Sequence, residues 1–333
     1  MANLKTVQAL RAAACLLVVA YHAIEGRWLN GAAGVDLFFV ISGLVMGLSA
    51  APPLDWRVFA ARRLRRLVPL YWGLTAAKLG IGLAIPATLA ATRPGIWNIA
   101  ASFLFIPARD GAGVVRPVLG VGWTLQFEML FYAVFALALV VRRPPIRIVL
   151  PLLLPLAIAG FWRLPDWPAP LSLANGLVVE FCLGLLLAGW IPALSRMDRR
   201  AAWCLVLGGG TALLTLPSCG AWRFLCWGVP AACVVAGATG LEQALRHRLP
   251  RPLLALGDAS FAIYLAHPFL TPVLARIWHR GGFGGQAGLI VASLVICATA
   301  GWLLHDQVDR RIQAILRRRA SAPVPPRGQL VQP

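Results

Sequence analysis

The sequence predicts an all-α fold, a polytopic membrane bundle of about ten transmembrane helices with both termini in the cytoplasm. Its 333 residues are 59% hydrophobic and only 13% charged, with a mean hydropathy of +0.75. A soluble surface needs more charge than this. Apolar runs of about 20 residues recur along the chain, as bilayer-crossing helices require. The length alone would suggest two soluble domains, but one membrane bundle can use the whole chain.

The apolar runs define ten helices. The first run carries Arg11 and His22 and lacks a small-residue cleavage site, so it is interpreted as a retained span rather than a signal peptide. Between the third and fourth runs, the mixed stretch 89–118 is expected to hold a short re-entrant or surface helix. The predicted spans are 5–24, 33–50, 67–88, 119–141, 146–162, 171–191, 201–217, 222–241, 257–278 and 286–304.

The arginines predict the orientation. Most of the 31 basic residues fall in segments that share one side of the membrane if the N-terminus is cytoplasmic. A smaller set is then external, and Lys78 lies within the third helix. Residues 1–319 are taken as the membrane domain and 320–333 as a Pro-rich, disordered cytoplasmic tail. The internal basic segments are 57–66, 142–147, 195–200, 246–251 and 309–319, and the external arginines are Arg27, Arg93, Arg109, Arg116, Arg163, Arg223, Arg276 and Arg280.

Composition also excludes some functions. A net charge of +19 could suggest a nucleic-acid partner. The arginines, however, fall in the short segments between spans that determine membrane topology, so no nucleic-acid partner is expected. Most of the seven cysteines lie inside apolar runs, which is typical of small hydrophobic fillers. Cys219 and Cys226 flank an external turn, and a bridge between them stays open. No internal repeat of the kind found in many transporters is evident.

Ionisable residues inside the spans are the candidates for function, because charge in a bilayer is costly. Arg11 and His22 share a face of the first helix, about 16 Å apart. Asp36 begins the second helix, so it can neighbour His22 at the outer end of a hairpin. A carboxylate there would hold the imidazole as a general base, or the pair would only close the hairpin, and both interpretations stay open. The full set is Arg11, His22, Asp36, Lys78, Glu128, Glu180, Asp258 and His267.

Two later helices carry further candidates. Glu128 and Tyr132 are spaced i, i+4 and can share a face, while Trp123 suits the outer interface. Tyr264 and His267 are spaced i, i+3 in the ninth helix, where a lone histidine is more often part of the core.

The segment "FAARRLRRLVPLYW" is the densest positive patch, and Pro69 favours a helix start just after it. Its arginines, Arg63 and Arg66 among them, either hold the segment inside by contact with anionic lipid or bind a phosphorylated ligand. The sequence alone leaves both alternatives open.

Five segments together resemble the acyltransferase 3 family of membrane acyltransferases, most closely its bacterial exopolysaccharide O-acetyltransferases. Five such motifs in the family's order are far more specific than any one of them, and Thr124 stands where many members have serine. The motifs are "VQALRAAACLLVVAYHA", "GVDLFFVISG", "FAARRLRRLVPLYW", "VGWTLQFEMLFY" and "GDASFAIYLAHPF".

The resemblance implies an enzyme of the bacterial inner membrane that moves an acyl group, usually acetyl, from cytoplasmic acyl-CoA to a sugar hydroxyl. His22 is then the catalytic base, supported by Asp36 or Glu128, and Arg11, Arg63 and Arg66 lie on the CoA side. Trp123, Tyr132, Tyr264 and His267 complete the expected substrate-binding set.

Acyl-CoA is expected as donor substrate, with no metal and no permanently bound cofactor. The expected acceptor is a polysaccharide or its polyprenyl-linked precursor. Two rivals stay open: a transporter or flippase for a lipid-linked sugar, and a non-catalytic scaffold for polysaccharide assembly.

Overall fold

The computed structural model describes residues 4–25, 28–49, 55–90 and 92–321. These residues form an all-helical bundle without strands. Arg27, Arg327, the segment 51–54 and the predicted tail from residue 322 onward lie outside the described residues. The helices are α1 (Lys5–Ala23), α2 (Gly34–Ser49), α3 (Trp56–Ala84), α4 (Ile96–Phe103), α5 (Trp123–Val140), α6 (Ile146–Ala159), α7 (Val178–Gly189), α8 (Arg199–Thr215), α9 (Val229–Gly240), α10 (Arg251–Arg280), α11 (Gln286–Leu304) and α12 (Arg310–Ser321).

Each predicted span coincides with a helix of this set. Seven helical segments in the described part of the chain are long and apolar enough to cross a membrane, and two more, Ile146–Trp162 and Val178–Gly189, are apolar but shorter. The exact count of ten transmembrane helices and the sidedness of the termini stay predictions. The expected short helix between the third and fourth spans is α4.

The start of the third helix was predicted wrongly. Asp55 caps α3 by accepting a hydrogen bond from the Arg57 backbone N–H at 2.6 Å, so the helix begins at Trp56 rather than near residue 67. Pro69 lies inside the helix instead of at its start. The arginines of the positive patch therefore stand on a helix, which fixes the direction in which Arg63 and Arg66 project.

Hydrogen bonds tie the loops together at both ends of the bundle. At one end, Glu242 accepts from the backbone N–H groups of Lys5 and Thr6 at 3.1 and 2.9 Å. At the opposite end, the Asn30 amide donates to the carbonyl of Leu216 at 2.6 Å. Arg109 donates to the carbonyls of Pro165 and Trp167 at 2.5 and 3.0 Å. We call these the Glu242 end and the Arg109 end.

Asp110 shapes the loop before α5 at the Arg109 end. Its carboxylate accepts from the backbone N–H groups of Ala112 and Val114 and from Arg116 Nε. Burial disfavours the charged carboxylate, but these donors outweigh that cost, so the pKa of Asp110 lies below its ordinary value. The ion pair between Asp110 and Arg116 therefore persists in this loop at neutral pH.

The closest helix contact joins α2 to α7 through two glycines. A Cβ on Gly184 would lie 2.0 Å from the Val40 carbonyl oxygen, and one on Gly43 would lie 2.2 Å from the Phe181 carbonyl oxygen. Small residues at such positions let helix backbones approach within a bilayer. This contact holds α2 against the rest of the core.

We predict that Gly184→Ala lowers the thermal unfolding temperature, because the new methyl group must push α2 and α7 apart. Overpacking of this kind typically costs about 1–3 kcal/mol. Gly208→Ala is the control, since a Cβ there meets no heavy atom within 4 Å. Thermal unfolding in detergent compares the two variants with the wild type, and equal unfolding temperatures would contradict the close contact.

Candidate active site

A cavity opens among α1, α2, α3, α5 and α10, and it brings together many of the predicted residues. Its empty space, including the open mouth, is about 760 Å³. The predicted residues that line it are Arg11, Arg63, Arg66, Glu128, Tyr132 and Tyr264. We call this space the arginine cavity.

Three guanidinium groups give the cavity its positive charge. Arg11 donates to Ser260 Oγ and Arg63 donates to Ser49 Oγ, each at 3.1 Å. The Arg63 guanidinium also lies over the rings of Phe59 and Tyr132, at 5.7 and 6.0 Å from their centroids. Arg66 lies one turn further along α3 and is exposed. None of these three arginines hydrogen-bonds a carboxylate among the described residues, and together they outnumber Glu128 in the lining. The cavity is therefore suited to anionic groups such as phosphates.

Glu128 supplies the single carboxylate among the described residues that line the cavity. Its Oε1 accepts hydrogen bonds from Ser42 Oγ at 3.1 Å and from the Tyr132 hydroxyl. The predicted i, i+4 pairing of Glu128 and Tyr132 is therefore confirmed. These bonds fix Glu128 to α2 and to its own helix.

His22 is oriented by a backbone carbonyl rather than by a carboxylate. Its Nδ1 lies 2.9 Å from the Val18 carbonyl oxygen. Because a carbonyl only accepts, Nδ1 must carry the proton, which leaves Nε2 of the neutral ring as a lone-pair acceptor. The half-buried imidazole thus has the tautomer that a general base using Nε2 requires.

His267 packs directly against His22. The two ring centroids are 4.7 Å apart, and the Tyr264 ring centroid lies 5.7 Å from that of His267. His267 is fully buried, and neither of its ring nitrogens has a hydrogen-bond partner among the described residues. Tyr264 lines the arginine cavity and shares a hydrogen bond of 3.0 Å with Thr124. Side-chain contacts therefore run from Tyr264 in the cavity wall through His267 to His22, the candidate base.

The predicted pairing of His22 with Asp36 is wrong. Asp36 is fully buried, and its Oδ1 and Oδ2 accept from Nε and Nη2 of Arg223 at 2.9 and 2.7 Å. Arg223 also donates to the Ala32 carbonyl at 3.1 Å, and its guanidinium lies 4.6 Å from the Trp227 ring centroid. The carboxylate faces the turn before α9 instead of α1, because a fixed guanidinium there satisfies both of its oxygens.

Glu180 on α7 completes this ionic cluster. It is fully buried beside Asp36 and Arg223, and neither of its oxygens has a hydrogen-bond partner among the described residues. The backbone next to it is π-helical over Phe224–Gly228, where a Cβ on Gly228 would come within 2.9 Å of Glu180. Irregular backbone at this depth is tolerated where it is buried in protein.

Sequence reasoning missed Arg223, which it counted only as an external topological arginine. The available signal was its position between Cys219 and Cys226, which form a disulfide in the structure. The open question about that bridge is thereby answered. The disulfide closes the short turn from which Arg223 reaches Asp36.

Trp123 does not line the arginine cavity. It lies at the start of α5 and packs edge-on against Phe39 and Phe127, at centroid distances of 6.5 and 5.9 Å. Its exposed face lines a second cavity at the Arg109 end. Thr124, the next residue, faces the arginine cavity instead. The two cavities therefore lie on different faces of α5.

We predict that Asp36→Asn acts mainly on stability, because Asp36 is a partner of Arg223 and not of His22. Arg223→Met should destabilise more strongly, by about 3–5 kcal/mol, since it leaves two buried carboxyl groups without their cation. Thermal unfolding in detergent and the rate per folded molecule are the measurements, with the exposed Arg280→Met as control. An Asp36→Asn enzyme with wild-type unfolding temperature and a rate reduced at least a hundredfold would restore the catalytic dyad.

Known proteins of similar sequence identify the family of this chain. The family model described as an acyltransferase domain, Acyl_transf_3, matches residues 4–305. The exopolysaccharide production protein ExoZ of Rhizobium meliloti (strain 1021) is 38% identical over 88% of this chain and 95% of its own. Acyltransferase MdmB of Streptomyces mycarofaciens is 28% identical, over 89% and 85% of the two chains. The putative membrane-bound transacylase BcsY of Komagataeibacter xylinus is 29% identical, over 79% and 72%.

No solved structure matches the chain significantly. The family model spans nearly the whole chain, and the ExoZ relative is similar along almost its full length. These matches agree with an apolar helical bundle. The chain therefore belongs to the Acyl_transf_3 family and is a membrane acyltransferase.

Proposed function

We propose that this acyltransferase moves an acetyl group from cytoplasmic acetyl-CoA to a hydroxyl of an exported polysaccharide or of its lipid-linked precursor. The observation that carries the proposal is a phosphate-suited cavity whose wall residue Tyr264 contacts His267, which in turn contacts His22. Nε2 of His22 is held as a proton acceptor. The name of the ExoZ relative, an exopolysaccharide production protein, supports the polysaccharide acceptor.

The donor would enter with its phosphates at Arg63 and Arg66. Arg11 stands between that region and His22. Eleven residues of helix separate Arg11 from His22 by about 16 Å. The extended arm of coenzyme A is about as long as this gap. The thioester would then lie near Tyr264 and Phe38, at the part of the cavity wall that adjoins His267.

For this arrangement we propose direct transfer, with a covalent acyl-histidine relay as the alternative. His22 Nε2 takes the proton of the acceptor hydroxyl while the hydroxyl oxygen forms a bond to the thioester carbonyl carbon. The carbon–sulfur bond then breaks, and the imidazolium returns its proton to the leaving thiolate. The Val18 carbonyl holds the ring throughout, and His267 excludes water from one face of the imidazole.

Two features support the proposed orientation in the bacterial inner membrane. Arg63 and Arg66 belong to the basic segments that the positive-inside rule places in the cytoplasm. The Cys219–Cys226 disulfide lies in the turn before α9, at the Arg109 end. Disulfides persist in the periplasm and are rare in the cytosol, so this end is assigned to the periplasm.

For the donor site, we predict that Arg63→Ala raises KM for acetyl-CoA roughly tenfold to a hundredfold. A lost hydrogen bond to a charged group costs about 1.5–3 kcal/mol, and 1.4 kcal/mol is a factor of ten. Arg62→Ala is the control, because Arg62 is exposed on the same helix and does not line the cavity. If Arg63 only anchors anionic lipid, the abundance of inserted protein falls while KM stays at its wild-type value.

For the general base, we predict that His22→Ala lowers kcat by about 10²–10⁴ in protein that remains folded. The assay is release of coenzyme A with acetylated saccharide as product, using purified full-length protein in nanodiscs. His279→Ala, an exposed histidine on α10, is the control.

Two results would contradict this role of His22. A wild-type rate in folded His22→Ala protein would move the base to His267 or Glu128. Retained activity in His22→Gln with a lowered unfolding temperature would make His22 a structural hydrogen-bond partner. Wild-type protein that never consumes acetyl-CoA would instead favour a transporter or flippase.

A further inference from the structure

A second cavity lies at the Arg109 end, between the loop before α5, the first turn of α5 and the segment 160–177. Its empty space, including the mouth, is about 760 Å³, and no carboxylate stands among the described residues that line it. Trp123 is the one residue of the expected substrate-binding set that lines it. We call it the tryptophan cavity, after Trp123 and Trp167 in its wall.

Neither arginine of this wall forms an ion pair with a carboxylate among the described residues. Arg109 donates to three backbone carbonyls, those of Gly113, Pro165 and Trp167, at 2.9, 2.5 and 3.0 Å. Arg163 donates to the Ser172 carbonyl at 2.8 Å. Carbonyl partners hold a guanidinium in place without neutralising it, whereas a carboxylate does both. The wall thus offers two positioned positive charges and donors that remain for an anion.

Flat apolar surface and amide groups accompany this charge. Trp123 and Trp167 provide broad ring faces, on which the C–H face of a sugar ring can pack. Gln126 and Asn175 line the same space. Gln126 is held by a bond from its amide to the Ile106 carbonyl, and Asn175 by accepting from the Leu177 backbone N–H. Few, fixed polar groups on an apolar wall are typical of a small-molecule site.

The position of the cavity agrees with an acceptor subsite. Phe39 packs against both Trp123 and Phe127, so an aromatic layer separates the tryptophan cavity from the arginine cavity. Trp123 and Thr124 are consecutive residues of α5 that face the two different spaces. A sugar in the tryptophan cavity would therefore be a neighbour of the acylated sugar along the polymer rather than the reacting unit itself.

We propose that the tryptophan cavity binds an acidic sugar of the acceptor saccharide, such as a uronate, and holds the polymer at the periplasmic face. This inference rests on the proposed function for the identity of the polymer. The carboxylate pairs with Arg163 and Arg109, and the sugar ring packs on Trp167. The site makes the enzyme selective for anionic over neutral polysaccharides.

The test measures binding to the full-length protein in nanodiscs by isothermal titration, without acetyl-CoA. The probes are β-glucuronyl-cellotriose and cellotetraose, which differ only in one carboxylate. We expect the acidic probe to bind at least tenfold more tightly to the wild type. Arg163→Gln should remove that preference, and Trp167→Ala should weaken both probes at least tenfold.

Matched controls lie close by in the chain. Trp162→Ala removes an exposed tryptophan that does not line the cavity, and Arg280→Gln removes an exposed arginine at the end of α10. Trp167→Ala leaves the backbone carbonyl that holds Arg109, and Arg163 is exposed, so at least the Arg163 variant should fold. Both controls should bind like the wild type.

Equal affinity of the wild type for the two probes would overturn the proposal, as would controls that weaken binding as much as Arg163→Gln. Failure of the proposed function is seen separately, in the nanodisc assay with acetyl-CoA. Binding preference without any acyl transfer would leave an acidic-saccharide site on a protein of different activity. Acyl transfer without the preference would sustain the function and reject this site.

Discussion

The ion pair between Asp36 and Arg223 fixes the Arg109 end of the bundle, on which the rest of the site depends. A charge in an apolar core is tolerated only with a partner, and here both oxygens of the carboxylate meet one guanidinium. The pair joins the first turn of α2 to the disulfide-closed turn before α9. α2 also packs on α7 through Gly43 and Gly184. The helices α2 and α7 and the turn before α9 are therefore held in fixed positions relative to one another.

This arrangement sets the walls of both cavities. Phe39 and Ser42 project from α2, the first into the aromatic layer and the second onto Glu128. A shift of α2 would therefore move the carboxylate of the arginine cavity and open the layer that separates the two spaces. Asp36 thus affects the site through the position of its helix, a role that a sequence motif alone does not distinguish from direct participation in catalysis.

Sequence reasoning predicted the positions of the helices well, because hydrophobic length is a property of each segment by itself. Of the site residues expected from the family resemblance, Arg63, Glu128 and Tyr132 line the arginine cavity, whereas His22, Asp36 and Trp123 do not. Sequence reasoning failed where the partner of a side chain depended on which helices pack together in the bundle. Asp36 is only fourteen residues from His22 in the chain, yet its partner is Arg223, brought near by the packing of α2, α7 and α9. Proximity along a hairpin is a weak guide when a distant cation can satisfy both oxygens of a carboxylate.

The histidine pair shows how the same physics treats a base differently from an acid. A carboxylate buried in the bundle requires a cation, but a neutral imidazole requires only one acceptor, and the Val18 carbonyl, four residues earlier on the same helix, is available for that purpose. His22 can therefore be set in its tautomer by α1 alone, without a carboxylate beside it. Among the described residues no carboxylate hydrogen-bonds this ring, which fits a brief role as proton acceptor in the proposed transfer. That behaviour suits the proposed transfer, in which the proton departs with the thiolate. Electrostatic attraction for anionic groups is then supplied by the arginines of the arginine cavity and of the tryptophan cavity.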